Sequence, residues 1–455
     1  MAVPAIIMTE MFDKASRTLV VGLGKTGLSV ARYLSRQGVS VAIVDSRDQP
    51  PELERSRSEL PADVALFLGG FHPDAFERAQ QIVISPGVSM QQAEIVAALA
   101  RQVPVIGDIE LFAQAATAPV IAITGSNGKS TVVTLLSAMA RHAGIEVRTG
   151  GNIGTPALDL LTDNEPDLYV LELSSFQLET LHSLRPQAAV VLNVSDDHLD
   201  RYRDLQDYAN AKQVVYQNAG LQVVNLDDPV AATLADGQRP LVGFTGQAPA
   251  AGSYGLRQHA GECWLARGDT PIMPVASIRM AGRHNHLNAL AALALGEAAG
   301  LPLTAMVETL AEFQGLPHRM QYLHEYNGVR WFNDSKGTNV GATLAAIDGV
   351  DGKVVLIAGG DGKGADFSPL VNVMQRKGQG AVLIGKDASL LETALQGVVP
   401  VRQADNMTQA VGFAAEMAQP GDCVLLSPAC ASTDMYRNFE ARGDIFMQAV
   451  QELVR

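Results

Sequence analysis

A lysine and a hydroxyl placed directly after a glycine-rich turn can grip a triphosphate, and residues Gly125, Ser126, Asn127, Gly128, Lys129, Ser130 and Thr131 supply that set. Flexible amides cradle the inner phosphates, Lys129 can reach the outer oxygens, and the Ser130 hydroxyl can face magnesium. The loop follows the apolar run APVIA and leads into VVTLLSAMARHAG. It therefore belongs at a strand-to-helix turn, where helix amides attract anions. The common phosphate loop reads G-x-x-x-x-G-K-S/T, and its first glycine is replaced here by Ile123. The groups that touch phosphate all remain, so ATP is the expected ligand. A glycine-rich turn with an exposed lysine is the structural alternative.

Gly22, Gly24 and Gly27 form a G-x-G-x-x-G turn in VVGLGKTGLSVARYL, and Asp45 closes the next apolar run, VAIVD. Such glycines let amides at a helix N-terminus approach a diphosphate, while the aspartate can accept hydrogen bonds from hydroxyls. On this motif alone a nicotinamide dinucleotide, a different diphosphate ligand and a purely structural turn all stay open. Glu172 stands alone in the apolar run LYVLEL. A carboxylate buried there needs a cation, either magnesium or a basic side chain. His198 in NVSDDHLDRY follows a strand end, where α/β enzymes collect site residues, although a single histidine is as readily structural. Lys212 in YANAKQVVY has nothing local to set it apart from a solvated lysine. In the last third, FNDSKGTN gathers Asp334, Ser335, Lys336, Thr338 and Asn339, and GGDGKGADFSPL puts Lys363 in a glycine-rich loop. Lysines there suit a carboxylate or a phosphate, with polar loop decoration as the alternative. Ser432 and Phe439 in SPACASTDMYRNFEARG fit the same cleft. Asn285 and Asn288 open RHNHLNALAALAL, where an amide can read a base edge or cap the helix; for Asn285, capping is the expectation.

The elements that must hold these residues are parallel α/β sheets, because short β-branched runs alternate with amphipathic stretches along the whole chain. RTLVVG, VAIVD, QIVIS and VPVIG mark a first set of strands, and APVIAIT, LYVLEL, AAVVLNV and LQVVN a second. VRWFN, KVVLIAGG, GAVLIG and CVLLSPA mark a third, after a patch, FTGQAPAAGSYG, that reads as a loop or small edge hairpin. Three domains are expected in the 455 residues, at 1–105, 106–315 and 316–455, since domains cluster near roughly 100 to 200 residues. The composition, 47% hydrophobic and 18% charged with 42 glycines, is that of folded domains rather than a disordered tail. A net charge of -14 argues against nonspecific binding to nucleic acid or anionic membranes. Cys263, Cys423 and Cys430 show no C-x-x-C spacing, so neither a disulfide framework nor a zinc site is expected, and the reducing cytoplasm is the expected compartment. No apolar run reaches the ~18 residues of a membrane helix, and the first residues, interrupted by Pro4 and acids, are not expected to be an export signal.

In their order along the chain, ITGSNGKST, LELSSFQLE, NVSDDHLDRY, HNHLNALAA, GLPHRMQ, FNDSKGTN and SPACASTDMYRNFEARG resemble the motifs of the Mur ligases, ATP-dependent amide-forming enzymes of bacterial cell-wall synthesis. GLGKTGLS together with FNDSKGTN most resembles the branch of that family that adds D-glutamate. The resemblance implies a Rossmann-like N-terminal domain, a central P-loop ATPase-like parallel-sheet domain and a C-terminal Rossmann-like domain, and it makes the shortened phosphate loop a family habit. It implies an ATP- and magnesium-dependent ligase that joins D-glutamate to UDP-N-acetylmuramoyl-L-alanine through an acyl phosphate, acting as a monomer without nucleic acid or membrane insertion. It further implies that Lys25, Thr26, Asp45, Ser46 and Arg47 hold the uridine diphosphate, and Gly87 and Asn152 the sugar and its alanine. Lys129 then matches the phosphate lysine, and Ser130, Glu172 and His198 a magnesium site. Lys212 matches a lysine carbamylated into an anion that faces the metal, completing a catalytic set with Lys129 and His198. Asn288, Arg319, Asp334 and Lys336 match nucleotide contacts, and Thr338, Lys363, Ser432 and Phe439 a D-glutamate pocket. A folylpolyglutamate-synthetase-like ligase is the runner-up, although it has no need of a diphosphate-binding first domain. An NAD-dependent oxidoreductase follows only from the first glycine motif taken alone, and a noncatalytic nucleotide-binding module leaves the cationic third-domain loops without a purpose.

Overall fold

The computed structural model describes residues 17–197, 201–280 and 282–454. Its first sheet has five parallel strands, β1 (Arg17–Val21), β2 (Ser40–Asp45), β3 (Ala65–Leu68), β4 (Gln81–Ile84) and β5 (Val105–Gly107), in the order β3-β2-β1-β4-β5. The order reverses at β1, whose neighbours β2 and β4 lead to opposite edges, and a crevice opens where the carboxyl ends of such strands diverge. Four of these strands are the expected apolar runs. The fifth, β3, is a half-exposed four-residue piece that lacks their β-branched character. β5, at 105–107, straddles the expected boundary at 105.

The next nine described strands divide between two compact units. β6 (Val120–Thr124), β7 (Val147–Gly151) and β8 (Leu168–Glu172) run parallel in the order β6-β8-β7. Together with the first sheet they make one compact unit, built from residues up to 124, 146–187 and 210–220. The other unit, 125–145, 188–209 and 221 onward, holds β9 (Ala188–Val191), β10 (Leu221–Asn225) and β11 (Leu241–Phe244) in parallel. Antiparallel β12 (Tyr254–His259), β13 (Glu262–Arg267) and β14 (Thr270–Pro274) follow beyond the Gly/Ala/Pro-rich loop. Of the loop or small edge hairpin expected at that patch, the loop is what forms, over residues 245–253, and the antiparallel strands come after it.

The third sheet lies within the same second unit and comprises β15 (Gln321–Tyr326), β16 (Val329–Asn333), β17 (Val354–Gly359), β18 (Gly378–Ile384), β19 (Val401–Gln403) and β20 (Cys423–Leu426), in the order β15-β16-β20-β17-β18-β19. All pairs are parallel except the edge pair β15-β16. Alternation along β17 explains the continuous apolar run: Val354, Leu356 and Ala358 pack into one core cluster, while Val355 and Ile357 pack into another on the opposite face. Parallel strands covered on both faces read this way.

Two helices carry site residues in the second unit. Lys129–His142 starts after Gly128, whose φ of +84° is left-handed and where a Cβ would lie 2.5 Å from Asn288 Oδ1. Only glycine fits that turn. The middle of Arg283–Ala298 is buried all round, with Ala289 through Leu295 each at most 1% exposed. Its cap is Gly282, not Asn285. The expected capping role of Asn285 is thus incorrect: the residue sits in the first turn, where its Oδ1 accepts from Asn288 Nδ2 at 3.0 Å. Among the described residues no helix is long and apolar enough to cross a membrane.

Candidate active site

In the first unit the glycine turn opens a cavity of about 530 Å³. Gly27 closes the turn because a Cβ there would lie 1.8 Å from the Gly22 carbonyl oxygen. Lys25, Thr26, Asp45, Ser46, Arg47, Gly87 and Asn152, the seven positions matched to the UDP-sugar, all line this one cavity. Asp45 is 2% exposed. Its carboxylate accepts from the Leu23 N–H at 2.6 Å, from the Arg47 N–H at 2.9 Å, and from Arg47 Nε and Nη2 at 2.8 and 2.7 Å. Burial raises its pKa, but the bonds from Arg47 and Leu23 outweigh it and hold the group below its ordinary range. Asp45 therefore fixes the glycine turn and aims the Arg47 guanidinium.

The far wall of the cavity leads to Glu172. Asn152 Nδ2 donates to Glu172 Oε1 at 2.9 Å, and the Asn152 N–H donates to the Glu172 carbonyl at 2.8 Å. Glu172 is 3% exposed, and its Oε2 has no hydrogen-bond partner among the described residues. An ionised oxygen left in that state is costly unless a cation meets it, so the carboxylate fits a metal ligand better than a closed ion pair. Lys212, on the helix Leu205–Gln213, overturns its local reading as a solvated lysine: it is 1% exposed. His198 lies outside the described residues, and among the described residues no group of three or more His, Cys, Asp or Glu is arranged to hold a metal.

In the second unit the phosphate loop borders a cavity of about 260 Å³ lined by Asn127, Gly128, Thr131, Asn288, Arg319, Asp334 and Lys336, among others. Lys129 Nζ donates to the loop's own Gly125 and Ser126 carbonyls at 2.6 and 2.9 Å. Arg319 Nη2 donates to Ser130 Oγ at 2.8 Å. Asp334 accepts from Ser427 Oγ at 2.7 Å and from the Met320 N–H at 3.1 Å, and burial pushes its carboxyl up to about 7 despite those bonds. His284, also lining the cavity, is pushed down to about 4 by burial and stays neutral.

Of the positions matched to the D-glutamate pocket, Thr338, Lys363 and Ser432 lie on loops beyond the carboxyl ends of third-sheet strands, and Phe439 opens the helix Phe439–Val454. Lys336 Nζ sits 3.7 Å from the centre of the Phe439 ring, a cation–π distance. Asp361 and Ala431 exchange backbone hydrogen bonds at 3.0 and 2.9 Å, pinning the Lys363 loop to the Ser432 loop, and the Ala429 N–H donates to the Gly337 carbonyl next to Thr338 at 2.9 Å. Lys363 is exposed with φ +51°, whereas Ser432 is 4% exposed.

Three family models match the chain: Mur ligase MurD-like, N-terminal domain, at residues 16–107; Mur ligase middle domain at 123–296; and Mur ligase, glutamate ligase domain, at 318–430. UDP-N-acetylmuramoylalanine--D-glutamate ligase of Nitrosococcus oceani is 55% identical over 97% of this chain and 97% of its own length. The chain belongs to the Mur ligase family. The ligase of the same name from Pseudomonas syringae pv. syringae is 51% identical over 95% of this chain and 97% of its own length. UDP-N-acetylmuramate-alanine ligase MurC of Thermotoga maritima shares the fold, with a TM-score of 0.58 at 18% identity over 96% of this chain and 100% of that one.

Several residues that organise this Mur ligase's site escaped the sequence reading. Asn193 clamps the phosphate loop, its Oδ1 accepting from the Asn127 N–H at 2.8 Å and its Nδ2 donating to the Asn127 carbonyl at 3.0 Å. Its place just after an apolar strand run was the available signal. Arg442, 1% exposed, donates to Ser335 Oγ, the Ser335 carbonyl and the Cys430 carbonyl at 3.0, 2.8 and 3.1 Å, and burial pushes its pKa down to about 10. It ties together the loops that bear Lys336 and Ser432. Gln177 lines the larger cavity and donates to the buried Asp108 at 3.0 Å; no local pattern announces that pair.

Proposed function

We propose that this chain is an ATP-dependent ligase of peptidoglycan precursor synthesis that joins D-glutamate to UDP-N-acetylmuramoyl-L-alanine. The observation that supports it most is the larger cavity: all seven positions matched to the UDP-sugar line it, and its wall leads through Asn152 to a buried carboxylate oxygen with no hydrogen-bond partner among the described residues. The substrate's carboxylate would thus arrive beside Glu172. The names of relatives more than 50% identical along nearly the whole chain support the same reaction, and favour neither the folylpolyglutamate-like nor the oxidoreductase alternative. We assign the three parts of the task to residues 1–105, 106–315 and 316–455. The compartment assigned is the cytoplasm and the working form a monomer, both carried over from the sequence expectation.

In this reading Arg47, aimed by Asp45, and Lys25 face the diphosphate. The terminal carboxylate of the alanine attacks the γ-phosphate of ATP, giving an acyl phosphate and ADP; the amine of D-glutamate then attacks the acyl carbon and phosphate leaves. Two anions must approach in the first step, so Lys129 leaves its loop carbonyls and turns to the phosphate oxygens, while Arg319 holds Ser130. Ser130, Glu172, His198 and a carbamylated Lys212 would hold magnesium, which supplies positive charge to the same oxygens. A buried lysine side chain supports this role for Lys212, because a carbamate there would carry the negative charge a metal requires. Asn288, Arg319, Asp334 and Lys336 would bind the nucleotide, and Thr338, Lys363, Ser432 and Phe439 the amino acid, with Lys363 meeting a carboxylate. The test is ADP formation over a panel of UDP-sugar peptides and amino acids. Turnover is expected only when UDP-N-acetylmuramoyl-L-alanine and D-glutamate are both present, and turnover with a folate and L-glutamate instead would replace this assignment with the runner-up.

A further inference from the structure

Asn339 uses every arm of its side-chain amide. Its Oδ1 accepts from the Ala342 N–H at 2.8 Å, capping the helix Val340–Gly349, and also accepts from Asn127 Nδ2 at 3.3 Å. Its Nδ2 donates to Asn127 Oδ1 at 3.3 Å and to Asp197 Oδ2 at 3.3 Å. The amides of Asn127 and Asn339 are therefore paired head to tail. Asn127 belongs to the phosphate loop, and its backbone is clamped on both sides by Asn193. Asn339 ends the run 334–339, in which Asp334 and Lys336 line the smaller cavity and Thr338 adjoins the loop that includes Ala429. One short segment thus touches the phosphate loop, the nucleotide cavity and the loops assigned to the amino acid.

We propose that Asn339 is a positioning residue that couples the phosphate loop to the amino-acid side of the site. The proposal rests on the reaction assigned above. One ligand changes the binding of another only through contacts that differ between states, and the paired amides are a contact through which tightening of the phosphate loop can reset Thr338 and Lys336. The helix cap makes the link stiff, since Asn339 Oδ1 is tied to the first turn of Val340–Gly349.

The test is a double-mutant cycle on the full chain. Asn339→Ser keeps an oxygen able to cap the helix but cannot pair with an amide; Asn127→Ala removes the partner. Each single change should lower kcat/KM for D-glutamate about tenfold, and the double variant should also fall about tenfold, because both break the same Asn127–Asn339 amide pair. The Tm of Asn339→Ser should stay within about 2 °C of wild type, the cap being kept. Asn339→Asp, which sets a carboxylate against Asp197 and the Asn127 oxygen, should be worse than Asn339→Ser. The same cycle is read without turnover as affinity for a non-hydrolysable ATP analogue, with non-additivity again expected. A double variant about a hundredfold down, the product of independent effects, would overturn the coupling, as would Asn339→Ser at wild-type kcat/KM. A wild-type chain without D-glutamate-dependent turnover would instead overturn the reaction assignment, while analogue affinities still decide the coupling.

Discussion

Replacing Glu172 with glutamine should stabilise the metal-free protein and disable the enzyme in the same step. Glu172 is the last residue of β8 and 3% exposed; Oε1 has Asn152 at 2.9 Å, and Oε2 has no hydrogen-bond partner among the described residues. A buried acceptor left unsatisfied costs on the order of 1–3 kcal/mol, and more when charged. Glutamine keeps the Asn152 bond through its oxygen and replaces a buried charge by a neutral NH₂ that is itself unsatisfied, so only the extra cost of the charge, about 1–2 kcal/mol, should be relieved. At roughly 2–4 °C per kcal/mol for a unit of domain size, Tm in EDTA should rise by about 2–8 °C. Added magnesium should no longer raise it, and kcat/KM should fall by about 10²–10³, the usual effect of losing one preorganised charge at a reacting anion. Thermal unfolding with EDTA and with magnesium, beside a coupled ADP assay, measures both effects. A lower Tm in EDTA would show that the carboxylate is satisfied without metal, and unchanged kcat/KM would show that it has no part in the reaction; either result refutes the reasoning.

Lys212→Ala should lose activity by about 10²–10³, and acetate should restore part of it by filling the buried anionic position; rescue by an amine, or full activity without rescue, would show that no carbamate forms there. Lys363→Ala should raise KM for D-glutamate by about 10- to 100-fold, as expected for a lost charged hydrogen bond, while hydroxylamine still traps the acyl phosphate; loss of the trapped product would assign Lys363 to ATP instead. Asp108 has its carboxyl pushed from 3.8 up to about 6 by burial. Because the folded state holds this proton more tightly, its contribution to stability is fully present below pH 3.8 and is lost as pH rises through about 6. Asp108→Asn should therefore be more stable than wild type at pH 8, by at most about 3 kcal/mol, with the difference vanishing near pH 4; urea midpoints at the two pH values check it, and an equal gap at both would remove ionisation as the cause.

Strands in the centres of the sheets were legible because burial on both faces leaves continuous β-branched runs such as VVLIAG of β17. The strands that escaped are of another kind: β7 ends in two glycines, β15 is an edge strand with exposed polar residues, and β19 has three residues. Contiguous polar residues that end up lining one cavity were likewise readable, as in the phosphate loop and the run 334–339. Lys212 was not, because its helix is polar in sequence and its burial comes entirely from the surrounding fold. Asn285 was misjudged for a local reason, Gly282 having taken the capping position ahead of it. Arg442 and Asn193 act on partners 107 and 66 residues away, a distance at which no short pattern can point to them.

The acyl-phosphate route is tested most directly by oxygen transfer. UDP-N-acetylmuramoyl-L-alanine labelled with ¹⁸O in both carboxylate oxygens is turned over with ATP and D-glutamate, and the inorganic phosphate is analysed by mass spectrometry. If the carboxylate attacks the γ-phosphate and the amine then displaces phosphate, each phosphate released carries one labelled oxygen and the new amide keeps the other. Unlabelled phosphate formed in step with the amide would contradict activation of this carboxylate by ATP.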